Sequence, residues 1–201
     1  MTKNHPIQCR CGKLQAEVIR PESGTRAVCY CRACQAFAHY LGSPGSVLDA
    51  HGGTDIIAIS PRNVSFTSGF EHLACMSLTA HGTLRWYADC CRTPIGNTPR
   101  DFRTSHVGLI HNCLEHSGIG IDASFGPVKM RVNRKGAKGQ PLPNSIITFP
   151  AAMVLYLGSL KWSRISGKYR KNPFFDGNTG KPRKEPKVLA AAERERIMSA
   201  V

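Results

Sequence analysis

The chain has 201 residues, 41% of them hydrophobic and 20% charged, enough to bury a sizeable core as one domain. Its nine cysteines are an odd number, whereas a secreted disulfide framework expects an even count behind a signal peptide. The first residues, Met1-Thr2-Lys3-Asn4-His5-Pro6, have no apolar core, and the longest apolar run, residues 151–157, is far too short to cross a bilayer. The expectation is a cytoplasmic chain with reduced or metal-bound thiols and no membrane partner.

The formal charge of +14 is unevenly spread. Residues 1–125 hold 11 Lys/Arg against 9 Asp/Glu, and residues 126–201 hold 16 against 4. Such a basic stretch suits an anionic partner: nucleic acid, a lipid surface or an acidic small molecule. A solvated tail that aids solubility explains it equally well.

In chain order, Ile7, Cys9 and Cys11 alternate, as do Leu14, Ala16 and Val18, which predicts two short strands around a tight turn at Gly12. On a strand, Cys9 and Cys11 would point to one face and could supply half of a tetrahedral zinc site. Residues 21–25 read as a polar turn. Then comes Cys29-Tyr30-Cys31-Arg32-Ala33-Cys34, three thiols within six residues. They can converge on one point but supply only three ligands. Structural zinc almost always takes four, and a three-ligand site leaves a position for water or substrate. The plainer alternatives are a fourth ligand from elsewhere or three unligated thiols.

A short helical turn is expected at residues 35–41, with His39 as a distant ligand or a packed ring. Short apolar runs at 56–59, 64–66 and 73–78, closed by Gly, Pro, Asn and Ser, predict a mostly antiparallel β region with Cys75 in its core. The strand-like residues Leu84-Arg85-Trp86-Tyr87-Ala88 enter a turn carrying Cys90 and Cys91, then Thr93-Pro94. Thiols in such a turn can ligate metal, and adjacent ones can form a vicinal disulfide.

Taken together, Cys-x-Cys-Gly, Cys-x-Cys-x-x-Cys-Gln and an aromatic strand into Cys-x-Thr-Pro resemble the glutathione-dependent formaldehyde-activating enzyme family, which includes the similar domain of centromere protein V. The resemblance covers roughly residues 7–125. It implies a β-rich, zinc-pinned fold of the Mss4-like type. It also implies a structural zinc on Cys9, Cys11 and a later pair, and a second, substrate-facing zinc on Cys29, Cys31 and Cys34. The later pair in the family is Cys-x-x-Cys; here Cys91 fits its second position while Ala88 occupies the first. Cys90 is the obvious substitute, with Cys75 or a water as alternatives.

Beyond the strand at 107–110, His111, Cys113 and His116 read as a helical turn beside the core or a further metal site, with Glu115 and His116 as possible proton shuttles near the second site. The basic stretch 129–141 reads as a mobile loop or linker. A helix is predicted from about 149 to 164 with Met153, Tyr156, Leu157 and Leu160 on one face. Residues 169–177 form a basic-aromatic loop of a kind that can bind nucleic acid, and a last helix near 188–198 pairs Leu189 with Ile197.

The chain is thus expected to be mainly β with C-terminal α-helices: a zinc-binding β domain over 1–125 and a basic extension over 126–201 with two helices packing on it. The function implied by the resemblance is a zinc-dependent, carbon–sulfur lyase-type activity on a thiol adduct such as that of glutathione. The alternative is a non-catalytic, zinc-stabilised module that binds nucleic acid or a protein through its basic end.

Overall fold

The computed structural model describes residues 4–115 and 118–201 and is β-rich, with two sheets and a few helices, one of them near the C-terminus. The smaller sheet is antiparallel, in the order β1 (His5–Gln8), β2 (Gln15–Val18) and β5 (Val64–Ser68). Alternate residues Ile7, Ala16, Val18 and Val64 are buried, as period-two patterning requires. The larger sheet has eight strands in the order β10-β3-β4-β9-β8-β7-β6-β11. These are β3 (Thr25–Cys29), β4 (Thr54–Ile59), β6 (Leu73–Ser77), β7 (Leu84–Ala88), β8 (Thr93–Thr98), β9 (Val107–Ile110), β10 (Met130–Val132) and β11 (Lys187–Val188). Its six inner strands pair antiparallel, while β10 and β11 close the two edges in parallel with β3 and β6.

The main core gathers Ile7, Leu14 and Val18 from the smaller sheet with Ile57, Trp86 and Leu109 from the larger one. On the other face of the large sheet, α1 (Arg32–Tyr40) and α5 (Ala191–Ser199) pack Phe37 and Ile197 against Met76, Tyr87, Ile110 and Leu189. The shorter helices are α2 (Pro44–Val47) and α3 (Ile121–Phe125), and α4 spans Thr148–Ile165. No helix among the described residues is long and apolar enough to cross a membrane.

Several elements depart from the sequence reading. α1 starts at Arg32, so Cys34 lies within its first turn. β8 carries Pro94 and Gly96 in a buried strand, which its composition argues against. The register slips there: Trp86 faces Gly96 and Tyr87 faces Pro94, leaving Ile95 as a bulge beside the residue that lacks an N–H. Residues 130–132, within the expected linker, form β10 instead. Phe174 and Phe175, read as part of a basic-aromatic loop, are buried against Trp86 at ring distances of 5.1 and 6.1 Å. On α4, Leu157 is exposed, and it is Ala152 and Ser163 that are buried.

His106, just before β9, packs against Tyr156 of α4 with ring centroids 5.4 Å apart, and its Nδ1 has no partner among the described residues. Burial lowers its pKa from 6.5 to about 4. Between those values the unfolded chain takes up a proton that the folded chain refuses. This contribution is therefore complete above pH 6.5 and is lost as pH falls towards 4. His106→Phe should flatten the loss of stability over that window by up to about 3 kcal/mol relative to the parent chain. Denaturant titrations of both proteins at several pH values check it, and parallel curves would count against it.

Candidate metal centres

The first cysteine group is built by two turns. Cys9 and Cys11 lie past the end of β1, so a turn rather than strand alternation brings their sulfurs to 3.5 Å. Gly12 makes this possible with a φ of 77° and an N–H donated to Cys9 O at 2.8 Å. The Leu14 N–H donates to Cys9 Sγ at 3.3 Å. The facing turn, between β7 and β8, holds Cys90 and Cys91 with Arg92 in the left-handed region at φ 57°. Cys90 Sγ lies 3.9 Å from Cys9, 3.3 Å from Cys11 and 3.9 Å from Cys91. Arg10 stitches the turns together, its N–H donating to Thr93 Oγ1 at 3.0 Å and its Nη2 to Cys91 O at 3.2 Å.

Cys75 is not part of this group. It is buried in the main core, where burial pushes its thiol up to about 12. All nine cysteines are free, so the adjacent Cys90 and Cys91 form no disulfide.

The second group sits where β3 meets α1. Cys29 ends the strand, Cys31 is the helix N-cap and accepts from the Cys34 N–H at 3.4 Å, and Cys34 is in the first turn. Cys29 and Cys34 are buried with their sulfurs 3.8 Å apart, and Cys31 is half-buried. Within each group every sulfur lies within 4.8 Å of the others, and either group could hold a metal ion.

Three polar side chains that sequence reasoning missed converge on the second group. Asn133 Nδ2 lies 3.4 Å from Cys29 Sγ, Asn97 Nδ2 4.0 Å from Cys34 Sγ, and Arg85 Nη1 3.8 Å from Cys34 Sγ. Arg85 is only 3% exposed. It also donates to Asn97 Oδ1 at 3.0 Å and lies over the Phe37 ring, but meets no carboxylate among the described residues. A lone arginine inside the apolar run of β7 was the signal to find it. Gln35 fixes the neighbouring turn, donating to Tyr30 O at 3.0 Å and Gly136 O at 2.8 Å. A Cβ at Gly136 would stand 2.3 Å from Tyr30 O, so only glycine allows that approach.

The other candidates lie elsewhere. His39 lines a separate basic cavity of about 370 Å³ with Tyr40, Arg92, Lys187 and Arg196. Cys113 is buried and donates to Ile110 O at 3.1 Å. Glu115 shares a cavity with Arg10 and Cys91, beside the first group rather than the second, and His116 lies outside the described residues.

A family model matches residues 1–186. The chain belongs to the family of unknown function DUF6151. A solved crystal structure of a Rhodobacter sphaeroides protein, 17% identical, aligns with 63% of this chain and 99% of its own at a TM-score of 0.41. No curated protein matches the chain. Both cysteine groups, with Arg85, Asn97 and Asn133, fall inside the DUF6151 span, whereas α5 follows it.

The two groups of this DUF6151 chain differ electrostatically. In the second, hydrogen bonds from the Cys29 and Cys34 thiols push Cys31 strongly down, helped by the Cys34 N–H and the Arg85 charge. Hydrogen bonds with Cys29 and Cys31 raise Cys34, and Cys31 is the helix N-cap, where the helix dipole favours negative charge. In the first, burial raises Cys9. Burial acts on Cys91 too, but hydrogen bonds from Thr93 and nearby backbone bring it down to about 6.

Proposed function

We propose that this chain is a zinc protein whose first centre is a structural pin and whose second centre captures a small thiol, acting on thiol adducts as a carbon–sulfur lyase. Soft thiolates in a compact cluster suit zinc. Zn–S bonds of about 2.3 Å in a tetrahedron hold sulfurs about 3.8 Å apart. The spacings of 3.3 to 3.9 Å in the first group and 3.8 Å between Cys29 and Cys34 support this reading.

The observation that carries the proposal is the pairing of three sulfurs with a buried arginine. Three thiolates and one divalent ion sum to −1, and Arg85 brings the centre to neutrality. Cys9, Cys11, Cys90 and Cys91 fill a tetrahedron, whereas Cys29, Cys31 and Cys34 leave a fourth position for a ligand. Zinc held there would favour the thiolate of an incoming thiol. The chain's own groups do the rest: Asn97 and Asn133 orient the sulfurs. Arg134 and Lys135, on the turn whose Gly136 abuts Tyr30, offer charge to substrate carboxylates.

The substrate class rests on the resemblance of the cysteine motifs alone to glutathione-dependent formaldehyde-activating enzymes; the family match, to DUF6151, names no substrate. In the forward direction the thiolate sulfur adds to an aldehyde carbon. One C–S bond forms as the C=O π bond opens, and the oxygen takes up the proton the thiol released; the reverse reaction breaks that bond.

Calorimetric titration of zinc-loaded protein tests this. Glutathione should bind with an affinity that rises with pH until its thiol is ionised. S-methylglutathione, with no thiolate to offer, should bind at least about tenfold more weakly, a difference of about 1.4 kcal/mol. Equal affinities, or no binding at millimolar glutathione, would sink thiol capture. Salt-sensitive retention on DNA without thiol binding would instead favour the non-catalytic module.

A further inference from the structure

α4 buries almost nothing. Of its 18 residues only Ala152 and Ser163 are buried, while Val154, Leu155, Trp162 and Ile165 are 61 to 75% exposed. Just before it, Ile146 and Ile147 are 90% and 76% exposed. Eight of the ten large hydrophobic residues exposed among the described residues fall between 142 and 165, and at about 3.6 residues per turn Val154, Leu155, Trp162 and Ile165 share one side of the helix. A contiguous apolar surface of this kind marks an interaction site.

The charge around the patch is one-sided. Residues 123–175 contain ten Lys/Arg and no Asp or Glu. Lys161 and Arg164 lie on the helix, and the Lys168 Nζ sits 5.7 Å over the Trp162 ring. We propose that α4 docks this protein onto an anionic lipid surface, lying in the plane of the interface with its apolar side chains inserted and its cations at the headgroups. Binding of a helix in the interface grows with the apolar area it buries and with its attraction to anionic headgroups, and α4 and its neighbours offer both. Trp162 and Lys168 are suited to the boundary between acyl chains and headgroups.

Charge complementarity decides between occupants. A second copy would press two acid-free sets of ten cations together. Nucleic acid would match the charge but leave the aliphatic side chains in water. The helix lies on the bilayer and does not span it, since Pro150, Ser159, Lys161 and Arg164 interrupt its apolar surface. It rests on β10 through Ala152 and Met130, and the residue after β10 is Asn133, which donates to Cys29. The expectation of no membrane partner, drawn from the lack of a spanning segment, did not weigh this face.

The test is co-sedimentation of the full zinc-loaded chain with vesicles of phosphatidylcholine alone or mixed with phosphatidylglycerol, with Trp162 emission as a second readout. Binding should need the anionic lipid, weaken with salt and shift the emission to shorter wavelength. Leu155→Ser with Ile165→Ser should lower the partition coefficient at least about tenfold, and Lys161→Gln by about fivefold. Both replaced aliphatic residues are exposed, so the variant keeps the parent's circular dichroism. Equal partitioning onto neutral and anionic vesicles, or of variant and parent, overturns the proposal. So does a parent dimer in sedimentation velocity that the double substitution dissolves, which would make a second copy the occupant.

Discussion

On the proposed reading of two zinc centres, Cys11→Ser should release about one of two zinc ions and lower the thermal midpoint by roughly 8–16 °C. That range corresponds to a loss of about 4 kcal/mol in a chain of this size. Cys11 is exposed, so the change from sulfur to oxygen leaves no void in the core. What it removes is a ligand whose partner Cys90 lies 79 residues along the chain. Without the metal the two turns keep the Arg10 hydrogen bonds and their apolar packing, but for a structural zinc the binding energy is also folding energy. Cys34→Ser should cost less in thermal stability and abolish thiol binding, because its centre joins neighbouring parts of one strand–helix junction. Elemental analysis and calorimetry on both variants check the division of roles. An unchanged midpoint and zinc content in Cys11→Ser would refute it.

Arg85→Met should weaken metal at the second centre by about 10- to 100-fold while leaving the first untouched, the range usual for groups that support ligands. The guanidinium is buried, meets no carboxylate among the described residues and lies 3.8 Å from Cys34 Sγ, so the counter-charge it would find is a thiolate of the cluster. Methionine keeps the volume and removes the charge, and leaves three thiolates and a divalent ion with an unbalanced negative charge in a poorly hydrated place. Arg85→Lys should recover part of the affinity, since it keeps the charge but not the fork that also reaches Asn97. Competition with a graded series of chelators measures both. Equal affinities for Met and Arg at this position would remove Arg85 from the account.

The fold was legible where short apolar runs were closed by turn residues. Ile56 to Ile59, Leu73 to Ser77 and Leu84 to Ala88 read as strands because β-branched, aromatic and other apolar residues stood together between Gly, Pro, Asn and Ser. β8 was illegible because Pro94 and Gly96 signal a break, and only the bulge at Ile95 explains how a strand accommodates them. β10 hid in a stretch of lysine, arginine and glycine, where its pairing with β3 is a long-range contact that no local pattern announces. At the second cysteine group, sequence spacing was enough to bring the sulfurs together. The groups that tune it were not readable, because Arg85, Asn97 and Asn133 reach it from three separate strands and turns.

The larger sheet is closed on both edges by residues beyond 125, β10 on one side and β11 on the other. A ribosome adding about 5–20 residues per second needs roughly 4–15 s to travel from residue 125 to residue 201. During that interval the six inner strands can already be present while β3 and β6 stand with unpaired N–H and C=O groups. Open edges of this sort recruit strands from other chains. The nascent protein is therefore most at risk of aggregation in the seconds before its own tail arrives.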